Sequence, residues 1–192
     1  MLKLFVFLLA GLLFSACIHD VSVAPELSKI KKERPVTIFR SVAYYIPEEK
    51  LKRVVLTPGG NNDQLRYSPY KESEMAFKKV LDNVFTKVYK ISSFQDPLIA
   101  EKKIQFIFVP TIETASYSNS NVDWEPTKFT YILDVNIYRH NKELVFKTHA
   151  QGKGIANFGR YQENPAYAIE IASRSALLQF QDEIITKRKK FK

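Results

Sequence analysis

The chain has 192 residues, 45% of them hydrophobic and 13% aromatic, which excludes a disordered polymer and leaves room for one ordinary domain of roughly 100–200 residues. Its formal charge of +9 raises nucleic acid as a partner, but the charges are dispersed, so no nucleic-acid surface is indicated. The exception is a run of five cations in the last six residues, Lys187 to Lys192, which reads as a solvated basic tail.

At the N-terminus Lys3 is followed by an apolar run from Leu4 to Phe14, then by Ser15, Ala16 and Cys17, the one cysteine of the chain. A positive start, an apolar centre and small residues before a cleavage position have the layout of a secretory signal peptide. The run falls short of the about 20 apolar residues that a permanent span needs. The stretch "LFSAC" resembles the lipobox of bacterial lipoproteins, with Phe14 at the position where leucine is most frequent and Leu13 one step earlier. The resemblance implies that residues 1–16 are removed and that Cys17 becomes the lipid-modified first residue. Acyl chains then hold the protein at about 0.8 kcal/mol per buried methylene. A cysteine used as a tether also accounts for an exported protein without disulfides. Enterobacterial lipoproteins retained in the inner membrane carry aspartate after the cysteine. Ile18 stands there, so the resemblance implies the outer membrane, facing the periplasm.

Residues 17–35 mix charges and prolines without periodicity and read as the lipidated N-terminus and its tether, with the folded domain over 36–186 and the tail over 187–192. "VTIFRSVAYY", Val36 to Tyr45, is rich in β-branched and aromatic residues, which predicts a first strand. A short apolar piece, Val54 to Thr57, leads into a loop at Pro58, Gly59, Gly60, Asn61 and Asn62. Ser68-Pro69 marks a helix start. From there Phe77, Val80, Leu81, Val84, Phe85 and Val88 form a single stripe at helical spacing. Ile104 to Ile112 predicts a mostly apolar strand with both faces buried or semi-buried. After the polar stretch Ser116 to Asp123, Phe129, Tyr131, Leu133, Val135 and Ile137 alternate with Thr130, Asp134 and Asn136. A turn around Asn141 returns the chain along Leu144 to Ala150 as an antiparallel hairpin. Asn164-Pro165 opens a last helix to about Thr186, with Ile169, Ala172, Ala176, Leu177, Phe180 and Ile184 on one face. Its alanines allow close approach to a sheet.

Two one-sided helices and a long hairpin predict an α/β (α+β) two-layer sandwich, both helices on one face of a mostly antiparallel sheet. The other face, with Thr130, Asp134, Asn136, Lys147 and His149, would be partly solvated.

Chemistry-bearing motifs do not emerge. Of three histidines, His19 lies in the tether and His140 in the hairpin turn, which leaves His149 alone on the polar face. Metal-ligand spacing is missing. "GKGIANFG", Gly152 to Gly159, matches neither the dinucleotide nor the phosphate-loop pattern and reads as a loosened strand end followed by a loop. No catalytic residue, cofactor or metal is assigned, and Cys17 is the one site residue. Tyr44, Tyr45, Tyr67, Tyr70, Tyr117 and Trp124 are either core aromatics or marks of a protein-binding surface.

The segment "PTKFTYILDVNIYRHNKELVFKTHAQGKGIA" and the alanine-bearing helix after it are similar in rhythm to small α/β outer-membrane lipoproteins: the lipopolysaccharide-assembly lipoprotein, the penicillin-binding-protein activators and the YajG-type lipoproteins. The resemblance implies a lipid-anchored, non-enzymatic binding or assembly accessory for another envelope component, with a protein partner. The alternative is a lipopolysaccharide or lipid transport accessory whose basic residues meet anionic lipid. An enzyme acting on cell wall or lipid is the third possibility.

Overall fold

The computed structural model describes residues 18–31, 37–59, 63–117 and 127–192. In chain order the elements are β1 (Ile18–Asp20), β2 (Ile38–Tyr44), α1 (Glu48–Leu51), β3 (Val55–Pro58), β4 (Gln64–Tyr67), α2 (Pro69–Val84), β5 (Phe85–Lys90), α3 (Leu98–Glu101), β6 (Phe106–Tyr117), β7 (Thr127–Arg139), β8 (Leu144–Ala156), α4 (Phe158–Glu163) and α5 (Tyr167–Thr186). A large sheet runs β5-β2-β6-β7-β8 and a small one β1-β4-β3. Together they form the expected α/β sandwich, with α2 and α5 layered on one face of the large sheet.

The long ladders of the large sheet, β6 with β7 and β7 with β8, are antiparallel. Their pleat puts Phe129, Tyr131, Leu133, Val135 and Ile137 into the core, as the alternation predicts. β2 pairs in parallel with β5 and with the start of β6, and that second ladder ends at Tyr44 and Phe108. Beyond that point the edge of β6 is exposed to other partners. There Tyr70 Oη accepts from the Ile112 amide at 3.0 Å, and Tyr67 Oη meets Thr114 Oγ1 at 2.8 Å. Amides two residues apart on a strand point to the same edge, so Pro110 lacks its N–H on the side that β2 has left and interrupts no ladder bond.

The helices are built from the predicted stripes. Phe77, Val80, Leu81 and Val84 of α2 and Ile169, Ala172, Ala176, Leu177, Phe180 and Ile184 of α5 are all buried. Phe77 stacks on Phe180 at 5.4 Å between ring centroids. Pro69 occupies the first turn of α2, but the Ser68 side chain makes no capping bond. Glu72, in the first turn, accepts from the Ser68 amide instead, at 2.7 Å, and so satisfies a backbone N–H at the helix start. Before α5, Asn164 Oδ1 accepts from the Ala166 amide at 2.9 Å.

The structure differs from the sequence expectation at four places. The α2 stripe stops at Val84: Phe85 turns extended, at φ −107° and ψ 154°, and Phe85 and Val88 belong to β5, which serves as the parallel edge partner of β2. Residues 18–31, expected as tether, are packed on the domain. β1 pairs with β4, and Val23 and Ile30 are buried. Asn83 and Gln181 hold this strap, Asn83 donating to the Ile30 carbonyl at 3.3 Å and Gln181 to that of Lys31 at 3.0 Å. β8 does not loosen at Gly152 but continues to Ala156, and α4 follows. Lastly, the basic tail forms a 3-10 turn over Arg188–Phe191. Its Phe191 is buried, with ring contacts to Phe85 and Phe106 at 5.1 Å and to Phe146 at 5.5 Å. Apolar contact fixes the tail where its charges alone would not.

On the far face of the large sheet the segment between β5 and β6 folds back and makes a second, smaller core of Ala43, Ile91, Ile104 and Ile107. Asp96 organises it, accepting from the amides of Ser92 and Leu98 at 2.7 and 3.0 Å. These bonds hold the Asp96 carboxyl below the usual aspartate range.

Candidate functional site

Three surfaces carry the residues on which function could turn. The first lies at the N-terminal end. Cys17 lies outside the described residues, but Ile18, its neighbour, is already the first residue of β1 and pairs with Gln64. β1 is tied down by side chains as well: His19 Nε2 meets Asp63 at 3.0 Å, and Arg66 grips Asp20 with two bonds, at 2.6 and 2.7 Å. The guanidinium holds the Asp20 carboxyl below its ordinary range. The attachment residue that the sequence nominates therefore joins a folded strand with no intervening spacer.

The second surface is the uncovered face of β6, β7 and β8. Thr111, Asp134 and His149 stand in register across it, and His149 Nδ1 lies 2.7 Å from Asp134 Oδ1. A histidine beside a carboxylate is the arrangement an acid–base mechanism needs. The surroundings are not, because the two side chains are 63% and 48% exposed and nothing removes water from between them and bulk solvent. No catalytic role is assigned to the pair. Among the described residues no group of acidic, histidine or cysteine side chains could hold a metal ion.

The predicted aromatics divide between core and surface. Tyr44, Tyr67 and Tyr70 are buried and Tyr45 is half-buried, while Tyr117, at the end of β6, is exposed. Trp124 lies outside the described residues, as do Gly60, Asn61 and Asn62 of the glycine-marked loop. Burial also raises the phenols of Tyr44 and Tyr131 well above the ordinary tyrosine value. Both are structural donors: Tyr44 Oη to Glu74 and Tyr131 Oη to Ser73, each at 2.9 Å.

The third surface was not legible in the sequence. At the opposite end of the large sheet, Phe39, Arg40 and Ser41 of β2, Thr86 and Lys87 of β5, and Lys103 and Gln105 before β6 line an open groove of about 310 Å³. It brings three cations and the largely exposed ring of Phe39 together. The register slip of β2 between Ile38 and Ser41 falls at this groove, and Lys103, also lining it, is in a left-handed backbone conformation, φ 52°. Arg40 is held in place: its Nε donates to the Phe191 carbonyl at 2.8 Å. The docked tail therefore lies beside the groove and adds Arg188, Lys189 and Lys190 to the same end. Chemically, the arrangement suits an anionic group flanked by an apolar one.

No family model matches the chain, and no curated protein matches it. Solved structures do. Protein XCC0632 from Xanthomonas campestris, a DUF330 protein, superposes with a TM-score of 0.50 at 11% identity, over 91% of this chain and 98% of its own. A neuraminyllactose-binding hemagglutinin homolog from Helicobacter pylori superposes with a TM-score of 0.55 at 11% identity, over 90% of this chain and 97% of its own. At this identity the likeness is one of fold, and it spans nearly the whole of each chain.

Proposed function

We propose that the protein is a lipid-anchored lipoprotein of the cell envelope, held through Cys17 and acting without catalysis as a binding or assembly accessory for another envelope component. The observation that carries the reading is "LFSAC" itself: a positive start, an apolar run, a small pair and the sole cysteine within seventeen residues. By the same resemblance its place is the outer membrane, with the domain facing the periplasm. A binding role is supported by the exposure of the Asp134 and His149 pair and by two prominent unclosed surfaces, the open sheet face and the basic groove. It is also in keeping with the Helicobacter pylori protein of like fold, whose name records neuraminyllactose binding. The partner is a protein of the envelope.

A second reading, an accessory in lipopolysaccharide or lipid transport, is favoured by the groove, whose cations are suited to phosphate.

The anchor is tested by Cys17→Ala in the full chain. Labelling by a fatty-acid probe should vanish and the protein should leave the membrane fraction. A variant that still incorporates the probe would overturn the reading.

A further inference from the structure

We infer that the domain lies directly against the leaflet that holds Cys17, with the end of the molecule carrying Ile18, Tyr117 and Ile155 seated in the headgroup region. The inference rests on the lipid anchor proposed above and adds the orientation of the fold.

Reach comes first. Consecutive Cα atoms are about 3.8 Å apart, and Ile18 is already in β1. An acylated Cys17 therefore places β1 at the membrane surface, whereas an 18-residue tether would have let the domain float.

Several other segments converge on that end. Ile18 pairs with Gln64, which pairs with Pro58. The Pro58 carbonyl accepts from Ser116 Oγ, so the end of β6 lies beside the end of the small sheet. The next residue, Tyr117, is in register with Lys128 and, through it, with Ile155. Ile18 is 51% exposed, Tyr117 58% and Ile155 56%.

Two of these groups, Tyr117 and Ile155, stand beside cations. Lys128 stands between Tyr117 and Ile155, and Lys153 lies two residues before Ile155; both lysines are exposed. An interfacial surface has this composition: aliphatic groups that leave water, a tyrosine with a polar tip, and lysines that meet lipid phosphates. The covalent anchor selects lipid as the occupant, because it brings that surface to the bilayer whatever else is nearby. The basic groove, at the start of β6, stays roughly 35 Å away, at about 3.3 Å per strand residue.

The test uses the acylated full-length protein in vesicles of phosphatidylethanolamine and phosphatidylglycerol. Acylation consumes Cys17, so Tyr117→Cys, Ile155→Cys and His140→Cys each offer one thiol for an environment-sensitive fluorophore, His140 lying in the turn at the far end. Lipids spin-labelled at headgroup depth should quench the probes at 117 and 155 several-fold more than the probe at 140. Equal quenching at all three positions, with Cys17 acylated by mass spectrometry, would overturn the orientation and leave the anchor standing. An unacylated Cys17 would overturn both. Thermal unfolding of each labelled variant checks that the fold is kept, and Lys128→Cys replaces any variant that fails.

Discussion

Two glycines settle how α5 meets the sheet. A β-carbon at Gly152 would sit 1.8 Å from the Ala172 carbonyl oxygen, and one at Gly154 would sit 1.8 Å from that of Ala168. Neither glycine has a positive φ, so both are required by space and not by backbone conformation. The small residues of α5 that the sequence marks for close approach are met by glycines on β8, which lets helix backbone lie almost on strand backbone. Gly152→Ala forces backbone against backbone, with no flexible side chain to yield. Destabilisation at the upper end of the usual overpacking range, about 3 kcal/mol, is expected and is read from the urea midpoint. Gly159→Ala is the control. It meets no atom within 4 Å and should be neutral or mildly stabilising in the first turn of α4. A Gly152→Ala midpoint equal to the parent would show that α5 is not seated on β8.

Between elements, sidedness was legible and punctuation was not. The stripes of α2 and α5 and the alternation of β7 follow from burial with a fixed period, which leaves its mark on every turn. The end of α2 left none: Phe85 and Val88 continue the helical spacing, and no glycine or proline announces that the chain becomes a strand. The strap over 18–31 was invisible because it buries only scattered residues, Val23, Pro25 and Ile30, with the carbonyls of Ile30 and Lys31 satisfied by Asn83 and Gln181. The groove was invisible because its cations come from two strands and a loop. At the start of the strap, the Asp20–Arg66 pair makes β1 sensitive to acid. Arg66 holds the folded Asp20 carboxyl below its unfolded value, so its contribution is present above the ordinary aspartate range and is lost as pH falls through the depressed value. The protection factor of the Val21 amide, whose N–H donates to the Arg66 carbonyl at 3.0 Å, should fall on that acid descent in the parent. In Asp20→Asn it should be low already near neutrality and show no such step. A parent profile as flat as that of the variant would mean that the pair does not fasten β1.

Across the whole molecule the two ends are dressed differently, and this decides what the excess charge can do. The end nearest Cys17 carries Ile18 and, across the end of the large sheet, Tyr117 and Ile155 beside Lys128 and Lys153, while the far end gathers Arg40, Lys87 and Lys103 around an open groove with the docked tail alongside. Screening confines surface charge to about 8 Å at physiological salt. On the proposed anchor the far cations therefore cannot act on its leaflet, and they are left free for an anionic partner. Lys87→Glu combined with Lys103→Glu reverses the groove without touching a buried residue. The pair should fold with the parent's melting temperature, fractionate with membranes as before, and lose capture of its crosslinked envelope protein several-fold, with a flattened dependence of the residual capture on salt. Loss of lipopolysaccharide binding with protein capture intact would favour the transport reading. Unchanged behaviour in both assays would move the binding surface to the open face around Asp134 and His149, where the neutral pair His149→Gln and Asp134→Asn should then weaken capture while the groove charges remain silent.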